Sequence, residues 1–384
     1  MNMKRILLVF SVWLVGSMLA GLSTAQQDVR DVRFLLTFVP NIQFAPFYVA
    51  EAAGYFEEAG QRITFEYLNE PDVIDLVAAG QADFGVVSGE QVILAASQQR
   101  SILYVYEWFQ EYPVGIVVAE DSGVESIEDL QGMRVGLPGR FGASYSGLTA
   151  LLLSAGLTER DIDLQEIGFS APDVFCLGGA IDAATIYINN EPIQIQTRID
   201  EEVCGDVTGI KVFPVSQAAD LVSNGIITGQ SLATNDPELV AAAVDAFDAG
   251  LRLTINNPAR AYLLSATYVD NLPLSDELRE AMESLADEQD VFLADDPDRD
   301  AIAASRTLMM EYLENRVTDT VDLTQFEVLL ASIDLWDAES LGYSELSSWE
   351  AMQSTLLDMD ALDQSLDVEM LFTNTFIQSE SGAQ

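Results

Sequence analysis

The chain has 384 residues, of which 62 are acidic and 17 are basic, and its formal net charge is −45. A surface this acidic repels nucleic acid and anionic membranes, so we predict neither as a partner. The acidic residues are spread along the whole sequence, which is typical of a protein from a salty medium, where charges are screened within ~3 Å at 1 M salt. Histidine is absent, which removes the commonest general base and the commonest metal ligand and therefore disfavours an enzyme.

Residues 1–25 have the pattern of a secretory signal peptide. Lys4 and Arg5 precede a long apolar run, and the small residues Ser23-Thr24-Ala25 follow it as a cleavage site. We therefore predict that the mature protein begins at about residue 26 and is exported to the periplasm or the cell surface. A signal that is kept as a membrane anchor is the alternative.

Strands and helices alternate in the first half of the sequence. The predicted strands are 33–38, 63–67, 82–87, 101–108, 114–119, 134–137 and 183–188, and the predicted helices begin near residues 46, 71, 89, 126 and 148. This alternation is typical of a parallel, doubly wound sheet with right-handed crossovers. From about residue 236 the sequence changes to long helical runs. The predicted fold class is therefore α/β, with two lobes built on doubly wound sheets and a helical C-terminal region.

The sequence NIQFAPFYVAEAAGYF at 41–56 places several aromatic residues around the start of a predicted helix. Phe44, Phe47 and Tyr48 fall at positions i, i+3 and i+4, which puts them on one helical face. From this spacing alone, core packing is favoured over contact with a ligand.

Two loops come directly after predicted strands, at the edge of a doubly wound sheet where ligands bind. One contains Ser88 and Glu90 and opens a helix, although a simple helix N-cap explains Ser88 equally well. The other, PGRFGASYSG at 138–147, has three glycines and Arg140, so its free backbone N–H groups can hold an anion or a carbonyl. A flexible turn without a ligand fits this second loop about as well.

The segment YVYEWFQEY at 104–112 alternates in polarity, which predicts that Tyr104, Tyr106 and Trp108 share one face of a strand where the chain crosses between lobes. Trp108 is the first candidate for stacking on a flat ligand, since ring pairing adds ~0.5–1.5 kcal/mol beyond burial. Core packing is an equally good interpretation of the same pattern.

The turn NNEP at 189–192 follows a strongly apolar strand. Its two amides and its carboxylate supply the donors and acceptors that the polar edge of a heterocycle needs. An ordinary turn before a helix, with Pro192 in the first helical turn, explains the same residues equally well.

Cys176 and Cys204 are the two cysteines of the chain. In an oxidising compartment they can form one disulfide, and two buried unpaired thiols fit the sequence nearly as well. Two cysteines without histidine do not make a usual zinc site, so we predict neither a metal nor a cofactor.

Several stretches together resemble one family, the NMT1/THI5-like solute-binding proteins of bacterial ABC importers. The matching stretches are PNIQFAPFYVAEAAGYFEEAG at 40–60, GQADFGVVSGEQVILA at 80–95, SIEDLQGMRVGLPG at 126–139, DAATIYINNEPIQ at 182–194 and LVSNGIITG at 221–229. The resemblance covers nearly all of the sequence after the signal. It implies a type II-like periplasmic-binding-protein fold, in which two lobes close on a ligand like a hinge. Lobe one would comprise 26–118 and 224–384, and lobe two 119–223.

The pairing of QFAPFYVA with YINNEP looks most like the riboflavin-binding branch of the family, so the implied ligand is riboflavin or a close flavin. A thiamine pyrimidine precursor, of the formylaminopyrimidine or hydroxymethylpyrimidine type, is the alternative. The other implied partner is an ABC permease in the membrane, and we expect the binding protein to be a monomer.

The cleft residues that the resemblance implies are Asn41, Gln43, Phe44, Pro46, Tyr48, Ser88, Glu90, Asn190 and Glu191, with Trp108 and Tyr145 as weaker assignments. Within the first stretch, the residues expected to pack the lobe behind the cleft are Phe47, Tyr55 and Phe56.

The sequence departs from two branches of this family. The thiamine-precursor branch often has an aromatic residue just before the segment that matches LVSNGIITG, where this chain has Ala218-Ala219-Asp220. The eukaryotic pyrimidine synthases of the superfamily carry a CCCFC motif and consume a histidine, whereas this chain has only Cys176 in the comparable region and no histidine. We therefore predict a binding protein and no enzyme.

Overall fold

The structure, a computed structural model, describes residues 29–219 and 221–377, so the predicted signal peptide at 1–25 lies outside the described residues. Within these ranges ten strands form two five-stranded sheets. The strands are β1 (Arg30–Thr37), β2 (Gln61–Leu68), β3 (Phe84–Ser88), β4 (Ile102–Glu107), β5 (Val114–Ala119), β6 (Arg134–Leu137), β7 (Asp163–Glu166), β8 (Ala183–Tyr187), β9 (Ile210–Pro214) and β10 (Asn224–Gly229).

Helices pack on both sheets and make up most of the C-terminal region. They are α1 (Ala45–Ala52), α2 (Tyr55–Glu58), α3 (Glu70–Ala78), α4 (Gly89–Ser97), α5 (Gly142–Ser154), α6 (Ala171–Cys176), α7 (Glu191–Asp200), α8 (Gln230–Asn235), α9 (Pro237–Asn256), α10 (Pro258–Ser265), α11 (Asp276–Leu293), α12 (Arg299–Glu314), α13 (Thr324–Trp336) and α14 (Leu346–Asp358). In the described ranges, none of these helices is both long and apolar enough to span a membrane.

The two sheets have the same design. The strand order is β2-β1-β3-β10-β4 in the first sheet and β7-β6-β8-β5-β9 in the second. The predicted parallel pairing holds for most strands, but β10 runs antiparallel to β3 and β4, and β5 runs antiparallel to β8 and β9. Parallel neighbours need a long crossover, whereas β5 and β10 each follow a strand of the other sheet without an intervening α-helix, and only a short 3-10 helix, Val215–Gln217, precedes β10. The expectation of wholly parallel sheets is therefore wrong at these two strands.

Each sheet with its covering helices forms one lobe, which confirms the predicted two-lobed α/β fold. The strand β5 was expected to end lobe one at residue 118, but it pairs with β8 and β9 in the second sheet. The chain therefore passes from the first lobe to the second before Val114. It returns to the first sheet with β10, which begins at Asn224.

The aromatic run before Trp108 does not keep to one face of β4. Tyr104 and Tyr106 lie in separate hydrophobic clusters, because the pairing of β4 with β10 shifts by one residue between Ile226 and Ile227. An extra residue in one strand turns the following side chains to the opposite face. The prediction of a shared face is therefore wrong for Tyr104.

Helix α1, which carries the stretch at 41–56, packs closely on α9 in the first lobe. Their contact depends on Gly250, because a Cβ atom at this position would lie 2.3 Å from the carbonyl oxygen of Pro46. Phe47 and Phe56 are fully buried there, as predicted. This packing fixes where the residues just before α1 meet the cleft between the lobes.

The second lobe differs from the sequence expectation in one helix. Helix α5 begins at Gly142 and not near residue 148, so most of the glycine-containing loop belongs to its first turns. Cys176 and Cys204 form a disulfide that joins the end of α6 to the loop after α7, which decides between the two alternatives left open by the sequence.

Candidate functional site

A cavity of about 880 Å³, counted with its open mouth, lies between the two lobes. The cavity offers about 90 Å³ of space to the centres of water-sized spheres, which is less than the ~300–1,000 Å³ usual for small-molecule sites. Its walls come from residues just beyond the ends of strands in both sheets, such as Phe38 after β1, Asn69 after β2 and Gly168 after β7. The cavity therefore occupies the crevice at the carboxyl ends of the strands, where α/β sheets bind ligands.

Aromatic rings form the inner wall on the first-lobe side. The ring centroids of Phe44 and Trp108 are 5.7 Å apart at an interplanar angle of 37°, and Phe109 lies 4.8 Å from Trp108. Trp108 is only 2% exposed because Phe47 and Trp336 pack against it from behind. These rings present a rigid apolar surface whose position is set by the core of the first lobe.

A second pair of rings spans the two lobes on the more exposed side of the cavity. Phe38, after β1, and Phe169, after β7, make an edge-to-face contact with centroids 4.8 Å apart. Phe169 is 44% exposed, and Phe38 has a φ of 71°, which is unfavourable for a bulky side chain. The ring contact thus joins the lobes through a strained backbone position.

The polar wall of the cavity comes from the turn between β8 and α7. Glu191 accepts hydrogen bonds from the backbone N–H of Tyr187 at 2.8 Å and from Nδ2 of Asn190 at 3.2 Å. Burial raises the pKa of Glu191 to about 7, against the lowering effect of these hydrogen bonds. The hydroxyl of Tyr187 donates to Oδ1 of Asn224 at 3.0 Å, which connects this turn to the first lobe. Near neutral pH, Glu191 can therefore act as donor or acceptor towards a ligand.

A second carboxyl group, that of Glu70 at the start of α3, also lines the cavity. Its Oε2 accepts from the backbone N–H of Ser88 at 3.0 Å and lies 2.6 Å from Oγ of the same residue. Behind it, Ser88 also contacts the fully buried Glu90. Among the described residues, no group of three or more His, Cys, Asp or Glu is arranged to hold a metal ion.

None of the described residues that line the cavity is lysine or arginine. Arg140, in the glycine-containing loop, forms ion pairs with Glu159 at 2.7 Å and with Glu166, and it lies at the surface. The two carboxyl groups of Glu70 and Glu191 are therefore not balanced by a cation in the wall.

The family model described as NMT1/THI5 like matches residues 41–261 of this chain. The chain belongs to this family. The matched segment runs from the aromatic stretch before α1, through the whole second lobe, into α10.

The relatives of this NMT1/THI5-like protein include binding proteins of more than one kind and also synthases, such as the 4-amino-5-hydroxymethyl-2-methylpyrimidine phosphate synthase of Legionella pneumophila, which is 26% identical over 61% of this chain and 72% of its own length. The riboflavin-binding protein RibY of Chloroflexus aurantiacus is 28% identical over 93% of this chain and 89% of its own length. The formylaminopyrimidine-binding protein of Halalkalibacterium halodurans is 25% identical over 73% of this chain and 83% of its own length. The solved structure of the periplasmic aliphatic sulphonate binding protein SsuA from Escherichia coli aligns with a TM-score of 0.51 and 17% identity, over 82% of this chain and 94% of that one. The last alignment shows a shared periplasmic-binding-protein fold.

Four of the residues that the sequence singled out line the cavity of this NMT1/THI5-like protein. They are Gln43, Phe44, Trp108 and Glu191. All four lie beyond the end of a strand, in a loop or in the first turn of a helix.

Four others lie directly behind lining residues and hold them in place. Oδ1 of Asn41 accepts from the backbone N–H of Gln43 at 2.9 Å, and thereby caps the short turn that leads to Phe44. Asn190 donates to Glu191 and accepts from Gln194 at 2.7 Å. The remaining two are Ser88 and Glu90, which support Glu70.

The last three predicted residues lie away from the cavity. Tyr48 was expected to face the cleft, but it is fully buried in the first lobe, where its hydroxyl is 2.6 Å from that of Tyr67. Pro46 is in the first turn of α1 and is buried against α9. Tyr145 donates to Oε2 of Glu159 at 2.9 Å, on the outer side of α5.

Sequence reasoning missed most of the other lining residues. Those with rings or polar groups are Thr37, Phe38, Asn69, Glu70, Phe109, Phe141, Ser144, Phe169, Thr185, Tyr187 and Asn224. One signal could have found many of them, since they stand within a few positions of a strand terminus. Ser88 and the glycine-containing loop also lie at strand ends, and the residues at the termini of β1, β2, β7 and β10 share that position.

Proposed function

We propose that this protein is the extracytoplasmic binding protein of an ABC importer and captures a flat, uncharged heterocycle, with riboflavin or a close flavin as the ligand. The observation that carries this proposal is the make-up of the cavity wall. Aromatic rings such as Phe44 and Trp108 form one side, hydrogen-bonding groups such as Glu191 form the other, and no cation is present among the described lining residues.

The mode of binding follows from this division of the wall. A flat ring system stacks on the aromatic side, where each good ring pair is worth ~0.5–1.5 kcal/mol beyond burial. Gln43, Glu191 and Asn224 then supply donors and acceptors to the polar edge of the ring, and contact between the lobes excludes water. Binding of this kind needs no catalytic base, so we propose no enzymatic activity.

The relatives support a vitamin-like heterocycle as the ligand. RibY, which shares 28% identity over 93% of this chain, is named for riboflavin binding. That similarity extends over both lobes of the fold. We accordingly propose export by the signal at 1–25, action as a monomer, and delivery of the ligand to a membrane permease.

A thiamine pyrimidine precursor is the second candidate. It is favoured by Glu191, because a carboxyl group held at a pKa of about 7 suits the paired ring nitrogen and amino group of an aminopyrimidine. The relative that binds formylaminopyrimidine supports the same candidate. A sulfonate, as bound by the structural relative SsuA, fits less well because the described wall has two carboxyl groups and no cation.

The direct test is to purify the mature protein and to titrate it with riboflavin while tryptophan fluorescence and thermal unfolding are recorded. We expect quenching and a raised melting temperature, because Trp108 lies in the cavity wall. A thermal shift with formylaminopyrimidine, alongside no quenching and no shift with riboflavin, would reverse the order of the two candidates.

A further inference from the structure

One carboxyl group in the cavity reaches from the first lobe to the second. Glu70 is the first residue of α3, and its side chain accepts a hydrogen bond from the backbone N–H of Ala143 at the start of α5. The approach is so close that a Cβ atom on Gly142 would lie 2.5 Å from Oε1 of Glu70. Gly142 has a φ of 65°, which favours glycine, and the absence of a side chain leaves room for the carboxyl group of Glu70.

The hydrogen bonds around Glu70 show which of two buried acids carries the negative charge. Oγ of Ser88 contacts both Glu70 and Glu90, but a hydroxyl has one hydrogen and can donate to only one of them. The other carboxyl group must therefore be protonated and donate to Oγ. Glu70 also accepts from two backbone N–H groups, of Ser88 and Ala143, and such bonds favour the charged form.

The proton therefore resides on Glu90, and the bonds run from Glu90 to Ser88 and from Ser88 to a charged Glu70. Burial, with the Glu70 charge next in importance, raises the pKa of Glu90 to about 8, in agreement with this order. Burial also raises the pKa of Glu70, while its bonds to Ser88 and Ala143 lower it. The hydrogen bonds thus assign one proton and one negative charge to the pair, and the charge lies on Glu70, in the cavity wall.

The position of this charge has a consequence for ligands. The first backbone N–H groups of a helix attract anions such as phosphate, sulfate or carboxylate. Helix α5 has 13 residues and opens into the cavity wall through Gly142, Ala143 and Ser144. The carboxylate of Glu70 already occupies the N-terminus of that helix as an anion. Glu191 adds a second carboxyl group to the wall, and the described lining residues include no cation.

We propose that Glu70 determines the charge specificity of the site: its carboxylate occupies the N-terminus of α5 and excludes anionic ligands, so that the cavity takes an uncharged ring compound. This inference rests on the proposed function and deepens it, since it predicts that the site binds riboflavin and excludes the phosphorylated form of riboflavin. Glu70 acts as an anion built into the protein, and at the same time as a contact between the lobes.

The test compares an uncharged and an anionic ligand that share one ring system. The affinities of riboflavin and of flavin mononucleotide are measured by fluorescence for the wild type, for Glu70→Ala and for Glu70→Gln. Asp72→Asn is the matched control, because Asp72 is in the same first turn of α3, carries the same charge and is exposed. Far-ultraviolet circular dichroism shows whether each variant is folded, and Glu70→Gln keeps the side-chain volume should Glu70→Ala fail to fold.

We expect the wild type and Asp72→Asn to prefer riboflavin strongly. In both Glu70 variants the ratio of flavin mononucleotide affinity to riboflavin affinity should rise at least about tenfold, because a nearby like charge has been removed. A ratio that stays within about twofold of the control in a folded Glu70 variant would overturn the proposal.

A separate arm does not depend on the flavin being the ligand. Thermal unfolding is measured in sodium sulfate and in sodium chloride of equal ionic strength. Sulfate should stabilise Glu70→Ala more than the wild type and Asp72→Asn, since the N-terminus of α5 becomes free for an anion. Equal shifts in all three proteins would contradict the role of Glu70, whereas a selective sulfate shift without flavin binding by any protein would reject the proposed ligand alone.

Discussion

The two walls of the cavity are built in different ways. The aromatic wall belongs to the core of the first lobe, where Trp108 contacts Phe44 in front and Trp336 behind. The polar wall lies mainly in the second lobe, at the turn before α7, where Glu191 is held by hydrogen bonds. Substitutions in the first wall should therefore affect stability and binding together, whereas substitutions in the second should act chiefly on binding and its pH dependence.

The largest effect is expected for Trp108→Ala. Truncation of a buried tryptophan leaves a cavity, so the free energy of unfolding should fall by about 3–5 kcal/mol, and the affinity for riboflavin should fall as well because a stacking ring is lost. Chemical unfolding and fluorescence titration measure the two effects. A Trp108 variant that keeps its flavin affinity within about twofold would show that the ring serves the core alone.

Trp349→Ala is the matched control for Trp108→Ala. Trp349 is fully buried, packs against Tyr104 and Phe372, and is not in the cavity wall. We expect a comparable loss of stability with unchanged flavin affinity in the fraction that remains folded. Equal losses of affinity in both variants would mean that stability, and not ring contact, explains the result for Trp108.

In the polar wall, Asn190→Ala should weaken ligand binding and also lower the free energy of unfolding, because the buried amide of Asn190 bonds to Glu191 and Gln194. The amide of Asn190 donates to Oε1 of Glu191 at 3.2 Å, and without it the carboxyl group loses its orientation. A polar group left unpaired in a buried complex costs ~1–3 kcal/mol, so the dissociation constant should rise about five- to hundredfold. Isothermal titration calorimetry measures this change.

Gln196→Ala serves as the control for Asn190→Ala. Gln196 lies on the exposed side of the same helix, α7, and its amide bonds to Asp200 at 2.9 Å. Its removal should leave the dissociation constant unchanged. If both variants bind equally well, the turn before α7 does not contact the ligand.

The pH dependence of stability should also distinguish the polar wall from the aromatic wall. The pKa of Glu191 is raised to about 7 in the folded protein, against ~4.3 for an unfolded glutamate. The folded state therefore binds more protons than the unfolded state between these values, and the contribution of Glu191 to stability falls as the pH rises from about 4 to 7. The slope of the melting temperature over this range should be reduced in Glu191→Gln.

Glu57→Gln, an exposed acid on α2, is the control for Glu191→Gln. It should retain the slope of the wild type. In both variants the melting temperature should still fall with rising pH above about 7, because the pKa of Glu90 is raised to about 8. Identical curves for Glu191→Gln and the wild type would show that Glu191 does not titrate in this range.

The sequence predicted the fold class and many elements because their signals are local. Helix α4 at Gly89–Ser97 and strand β6 at Arg134–Leu137 match the structure residue for residue, although the side chain of Ser88 bonds to Glu70 and makes no capping hydrogen bond to α4. The antiparallel entry of β5 was not predicted, because it depends on which sheet the chain reaches next and not on the residues of the strand.

The candidate site could be predicted only where a residue stands in a distinctive motif. Glu191 and Phe44 were found in this way, whereas Tyr48 shares the helical face of Phe44 but points into the lobe. Glu70 and Phe169 were missed because their partners, Ala143 and Phe38, are distant in sequence and meet only when the lobes come together. Contacts between lobes leave no periodic pattern in the chain.

The smallest expected effect concerns the pair of rings that connects the two walls. Phe169 is 44% exposed and touches Phe38 across the lobes, so Phe169→Ala should hardly change the stability. Loss of one edge-to-face contact worth ~0.5–1.5 kcal/mol should instead speed ligand release about two- to tenfold. Stopped-flow fluorescence measures this rate, with Leu177→Ala as the control, because Leu177 is an exposed apolar residue of the same lobe outside the cavity wall. An unchanged release rate would mean that the cavity opens without parting these rings, and that the aromatic wall behind them alone retains the ligand.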